Sequence, residues 1–89
     1  MKKIKILIPV YNDWQSVFKL LENIDQGLEA WDSDVAHISV IIVNDASTEE
    51  MPINTSAFNS LKLIQVINMK NNKGHARCIA AGLKYINEN

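Results

Sequence analysis

A chain of 89 residues, 47% hydrophobic and 21% charged, has the size and composition of one small globular domain, without low-complexity stretches or internal repeats. Its net charge of -1 supplies no broad positive field, which argues against nucleic acid as a partner. The single cysteine, Cys78, cannot form an internal disulfide and suits a reducing compartment.

The chain opens on MKKIKILIPV, basic residues followed by an apolar run. That run is far shorter than the core of a signal peptide and breaks at Pro9, and no segment is long enough to span a membrane, so a cytoplasmic protein is expected. Ile4, Ile6, Leu7, Ile8 and Val10 instead read as a strand, apolar almost throughout, as a parallel sheet covered on both faces requires. From Asn12 the period changes. Trp14, Val17, Phe18, Leu21, Ile24, Leu28 and Trp31 recur at three- and four-residue steps, which predicts a helix to about Ala30, capped by Asn12 or Asp13 and open to a break at Gly27.

Ile38 to Val43 predict a second strand, with His37 as a surface residue before it, and Leu61 to Ile67 a third. Between them lies STEEMPINTSAFNS, where Ser47 and Glu50 have capping-box spacing but Pro52 would disrupt a helix, so one or two irregular turns are expected. Asn54-Thr55-Ser56 matches a glycosylation sequon, discarded for want of an export signal. After Asn71-Asn72-Lys73-Gly74, the positions Ala76, Ile79, Ala80, Leu83 and Ile86 mark one face of a last helix. Cys78 falls within it and reads as a small helix residue rather than a nucleophile.

Strands alternating with helices favour an α/β fold with parallel pairing through right-handed crossovers, in the order 3-2-1, as half of a doubly wound sheet. Ligands in such sheets gather at the carboxyl ends of the strands. Three segments meet there: Pro9-Val10-Tyr11-Asn12, Asn44-Asp45-Ala46-Ser47, and Asn68 through His75. Asp45 is either a turn or cap residue or an acceptor for a ribose hydroxyl or a base N–H. Tyr11 either covers the sheet edge or stacks on a nucleobase. Lys73-Gly74-His75 opens the last helix, whose free amides favour an anion; Arg77, one turn on, either reaches that anion or lies on a solvated face.

Competing motifs are missing. No glycines follow the first strand as a dinucleotide site needs, there is no GxxxxGK[ST] phosphate loop, His37 and His75 stand far apart, and no Ser, His and acid form a defensible triad.

Together, IPVYN, VNDAST and NKGHARCIAAGL, in this order, resemble the N-terminal half of the nucleotide-binding domain of family 2 glycosyltransferases, a Rossmann-like GT-A fold. The resemblance implies a three-layer βαβ(α)βα unit that binds a nucleotide-sugar such as a UDP-sugar through Pro9, Val10, Tyr11, Asp45, Lys73, Gly74 and Arg77. The usual pair of acids after the second strand appears here as Asn44-Asp45, with the second acid kept, and Ala46 stands where Gly is frequent. The family's metal-binding D-x-D motif, for Mg or Mn, follows a further strand and is not among these residues, so the 89 residues alone are expected not to transfer sugar. The first strand, unpaired on its outer side, is expected to have an uncovered apolar face and to recruit a second copy. Two alternatives are a non-catalytic module that binds a nucleotide or acts by association, and a piece of a dinucleotide-dependent enzyme with Asp45 on ribose.

Overall fold

A computed structural model describes residues 2–30, 36–51, 58, 60, 61 and 63–88. The elements run β1 (Lys2–Val10), α1 (Trp14–Leu28), β2 (Ala36–Asn44), β3 (Ile64–Asn68) and α2 (His75–Glu88). All three strands are parallel, with β2 between β1 and β3, which is the order the sequence predicts. Val10 stands opposite Asn44, and Asn44 opposite Asn68, so the strands end level and their following loops share one rim.

β2 is the centre of the molecule. Val40, Ile41, Ile42 and Val43 have no exposed surface, because alternate side chains enter different cores. On one face Val40 and Ile42 join Ile8, Val10 and the α1 stripe Trp14, Val17 and Leu21; on the other Ile41 and Val43 meet Cys78 of α2, with Leu7, Ile67 and Tyr85 around them. The helices therefore lie on opposite faces, giving the expected three layers. At Gly82 α2 approaches so closely that an added Cβ would overlap the Leu7 side chain. The apolar face of β1 is thus covered, contrary to expectation, because both helices pack on that strand; only Ile4 among its large apolar residues is exposed.

Several boundaries move. Gly27 does not break α1, which ends at Leu28, and Asp13 stands at its N-cap without a side-chain capping bond. β2 starts two residues earlier than predicted and takes in His37, which is exposed. β3 starts only at Ile64. Of the irregular connection, residues 52–57, 59 and 62 lie outside the described residues, and with them the sequon and Pro52. Ser47 to Met51 form no helix. The end of the connection is anchored by a buried acid on α1: one carboxylate oxygen of Asp25 accepts the backbone N–H groups of Ser60 and Leu61, both at 2.7 Å. Hydrogen bonds to a charged group contribute about 1.5–3 kcal/mol each, and here they bring Phe58 and Leu61 into the α1 core.

Backbone groups of one strand residue point to the same side, alternating along the chain. The Val10 carbonyl accepts the N–H of Asp45 on β2's side, so Pro9 points outward, where its missing N–H costs the ladder nothing. Among the described residues nothing pairs with that outer edge.

Candidate functional site

The rim at the carboxyl ends of the strands is tied together by side chains that each bridge two loops. Asn12 stands in the left-handed region, φ 57°, a conformation that Asn tolerates better than most residues. From there its Oδ1 accepts the N–H groups of Thr48 at 2.8 Å and Glu49 at 3.0 Å, its Nδ2 donates to the Thr48 hydroxyl, and its own N–H donates to Ser47 Oγ at 2.9 Å. The indole N–H of Trp14 donates to the Glu49 carbonyl. Asn44 continues the chain of bonds, accepting the Ser47 N–H and donating to Asn68 Oδ1, both at 3.0 Å. Neither Asn12 nor Asp13 caps α1 through its side chain, since Asn12 is committed across the rim.

Asp45 closes the third side. It is fully buried, and its two carboxylate oxygens accept separate amides of the loop into α2: Oδ1 from Lys73 at 2.6 Å and Oδ2 from Gly74 at 2.8 Å. Gly74 makes this approach in the left-handed region, φ 84°. The Lys73 amide is the main cause that holds the Asp45 carboxyl below its usual range; burial opposes it, and the Gly74 amide, the Cys78 thiol and the nearby His75 assist. In turn the Cys78 thiol is pushed up to about 11, by burial first and then by its bond to Asp45 and that residue's charge. It stays protonated at neutral pH, which accords with a packing residue.

The amides expected to attract an external anion at Lys73 and Gly74 are therefore spent on an internal one. Asp45 here ties the end of β2 to the loop into α2, an arrangement that neither the turn-or-cap reading nor the nucleoside reading described. The remaining predicted residues separate by exposure. Tyr11 is 41% exposed at the end of β1, Pro9 is half-buried, and Val10 is 1% exposed with its side chain in the α1 core. Lys73 and Arg77 are exposed and Gly74 half-buried. Pro9, Val10 and Tyr11 line a cleft of about 170 Å³ along the free edge of β1, shared with Asp13, Ser16 and Leu20 of the α1 side and with His75; Asp45, Lys73, Gly74 and Arg77 do not line it. The sequence reading placed Asn12 and His75 in the rim segments and took Asn12 or Asp13 as a helix cap, but it did not foresee the bridging role of Asn12 or the place of Asp13 in the cleft lining. Adjacency of Asn12 to the strand end was the only signal, because its partners lie 35 to 37 residues away.

No three His, Cys, Asp or Glu side chains among the described residues form a set able to hold a metal ion, and the most central acid, Asp45, is enclosed. No helix among the described residues is long and apolar enough to cross a membrane.

The sequence model of the family described as Glycosyl transferase family 2 matches residues 5–89. No curated protein and no solved structure matches the chain.

Two outcomes follow from this geometry. Ala46 has φ 58°, which an L-residue occupies at a cost that glycine avoids, so Ala46→Gly should raise stability by about 1 kcal/mol in urea unfolding. Asp45, with its folded pKa lowered, contributes stability that is complete above the ordinary carboxylate range near pH ~4 and is lost as pH falls through the folded value. Asp45→Asn should melt below the wild type at pH 7, and the gap between the two melting temperatures should narrow as the pH is taken below about 4. A gap independent of pH would contradict the ionised bond.

Proposed function

The chain belongs to glycosyl transferase family 2, and from that premise we propose that its carboxyl rim holds the nucleoside diphosphate part of a sugar nucleotide such as a UDP-sugar, for transfer of the sugar to an acceptor. The observation that carries the reading is the exposed ring of Tyr11 over a cleft at the level where all three strands end. An aromatic face there can stack on a base, an interaction that contributes about 1–3 kcal/mol in nucleic-acid complexes. Lys73 and Arg77, exposed at the start of α2, offer charge to the diphosphate through their side chains, since the Lys73 and Gly74 amides are taken. The buried free Cys78 suits the reducing interior of a cell, and a cytoplasmic site of action is part of the proposal.

Departure of the diphosphate calls for neutralisation, by Mg or Mn in the family's chemistry, and deprotonation of the acceptor calls for a base. The described residues hold no cluster of three His, Cys, Asp or Glu side chains for such an ion. We propose accordingly that these residues bind the donor without turning it over by themselves. The dinucleotide alternative has less support, because it needs Asp45 on a ribose and Asp45 is fully buried.

Thermal melting tests the reading. At ligand concentrations ten times Kd, UDP or GDP should stabilise the protein by about 1.4 kcal/mol, a shift of several degrees in a domain of this size, while NAD should not. Tyr11→Ala should reduce the nucleotide shift. Equal shifts with NAD, or none with any nucleotide, would defeat the proposal. A second reading, association of two copies, draws on the outer edge of β1, unpaired among the described residues, which includes the outward-facing backbone of Lys5 and Leu7. Light scattering should then show a dimer that dissociates on dilution; a monomer at every concentration would remove it.

A further inference from the structure

Each strand changes character along its length. On the α2 side of the sheet β1 presents Lys3 and Lys5 and then Leu7, and β2 presents His37 and Ser39 and then Ile41 and Val43. On the same side Leu63, just before β3, is followed by Gln65 and Ile67. The parallel register aligns these positions: Lys3 stands opposite His37, Lys5 opposite Ser39, and Ile41 opposite Gln65. The carboxyl half of this face is the core under α2, where Leu7, Ile41, Val43 and Ile67 gather round Cys78. The amino half is left bare for a reason of length. α2 has 14 residues, about 21 Å of helix, whereas β1 and β2 have 9 each, about 30 Å of strand. A helix that starts at the carboxyl rim therefore runs out before it reaches the amino ends. There it leaves a groove of about 340 Å³ lined by Lys3, Lys5, His37, Ser39, Leu63 and Gln65.

We propose that this groove is a second ligand site, separate from the carboxyl rim, and that it takes the phosphate group of a small soluble molecule such as a phosphate monoester. Its lining is one-sided. Two ammonium groups, an imidazole, a hydroxyl and an amide supply hydrogen-bond donors, and no carboxylate joins them, although the chain has 10 acids to 9 basic residues. On a sheet surface a lysine is stabilised by an acid across the strand, and like charges at neighbouring positions of one face repel. Here the positions opposite Lys3 and Lys5 are His37 and Ser39, and neither lysine has an ion pair among the described residues. The two lysines stand about 7 Å apart along β1 and about 5 Å from their partners on β2, a spacing from which all four side chains can converge on one tetrahedral group. A phosphate relieves the repulsion between the lysines, which bind it as point charges, and offers enough acceptor oxygens for the imidazole and hydroxyl as well. The groove lies at the small end of the ~300–1,000 Å³ typical of small-molecule sites, and Leu63, 58% exposed, gives the organic part of such a molecule an apolar contact. A concave floor suits a discrete molecule better than the flat surface of a lipid layer. His37 stands seven residues before Asn44 on β2, about 23 Å away, so no single nucleotide reaches both places. The groove is thus independent of the ligand proposed at the rim.

Inorganic phosphate and glycerol 3-phosphate are the probes, titrated at constant pH and ionic strength and followed by imidazole resonances. The chain has only two histidines, so a His75→Gln variant leaves the His37 signal alone. That signal should move and saturate, with a Kd on the order of 1 mM. Lys3→Gln and Lys5→Gln should each weaken binding about tenfold, the loss of one charged hydrogen bond. Lys19→Gln makes the same change of net charge on α1, across the sheet, and should leave the affinity unchanged. All three lysines are exposed, so the variants should fold as the wild type does. A His37 signal that never saturates, or that responds alike in Lys5→Gln and the wild type, would overturn the site. So would binding to phosphatidic acid vesicles without a response to either soluble phosphate, which would make this face a membrane contact. Loss of the UDP or GDP melting shift leaves the groove untouched, and failure of phosphate to bind at the groove leaves the rim untouched.

Discussion

The bond between the Asp45 carboxylate and the Lys73 and Gly74 amides joins the end of the central strand to the start of the last helix. A carboxylate taken fully out of water is costly unless donors replace its hydration, and the chain supplies two backbone amides and a thiol. Because those donors belong to the loop after β3 and to α2, the acid can be both buried and charged only when β2, β3 and α2 are assembled in their final relation. Asp45 is also held to β1, through its own N–H on the Val10 carbonyl. One residue therefore links the ends of β1 and β2 to the loop between β3 and α2.

This also explains what could be read from the linear sequence. The alternation of apolar runs and helical stripes follows from burial on two faces, a local property of each segment, so element order, parallel pairing and the position of β2 were legible from Ile38–Val43 and the Trp14–Leu28 stripe alone. Ends were less so. β3 was expected from Leu61, but Leu61 belongs to the α1 core through Asp25, and the ladder begins only where Ile64 comes opposite Val40. The anion preference of the Lys73-Gly74 segment was legible too; the identity of the anion was not, since Asp45 lies 28 positions before Lys73. The Asn12 bridge escaped for the same reason. An Asn next to a helix start has a local use as a cap, and only the tertiary fold brings Thr48 and Glu49 close enough to replace it.

The two departures from the family pattern have different physical standing. Asn44 replaces an acid but makes a bond that an ionised carboxylate could not, since its amide donates to Asn68 as well as accepting from Ser47. An acid there would face an acceptor on Asn68 unless that amide turned over. The substitution is thus integrated with its neighbour on β3. Ala46 has no comparable compensation: it holds the same left-handed backbone that glycine would, with φ 58°, and retains the methyl group that makes this costly.

The rim divides into side chains spent on internal bonds and side chains left exposed. One layer of the rim consists of groups whose hydrogen-bonding capacity is used within the protein: half-buried Asn12 and buried Asp45 satisfy backbone donors from another loop, and half-buried Asn44 satisfies the Ser47 amide of its own. The exposed layer, Tyr11, Asp13, Lys73, His75 and Arg77, is carried on short segments anchored by that first layer. The bonds of that first layer form within the protein, so the ordering of the loops is established during folding. An acid at the end of a greasy strand is then best understood through what it holds in place: the loop that carries His75 to the far side of the cleft from Tyr11.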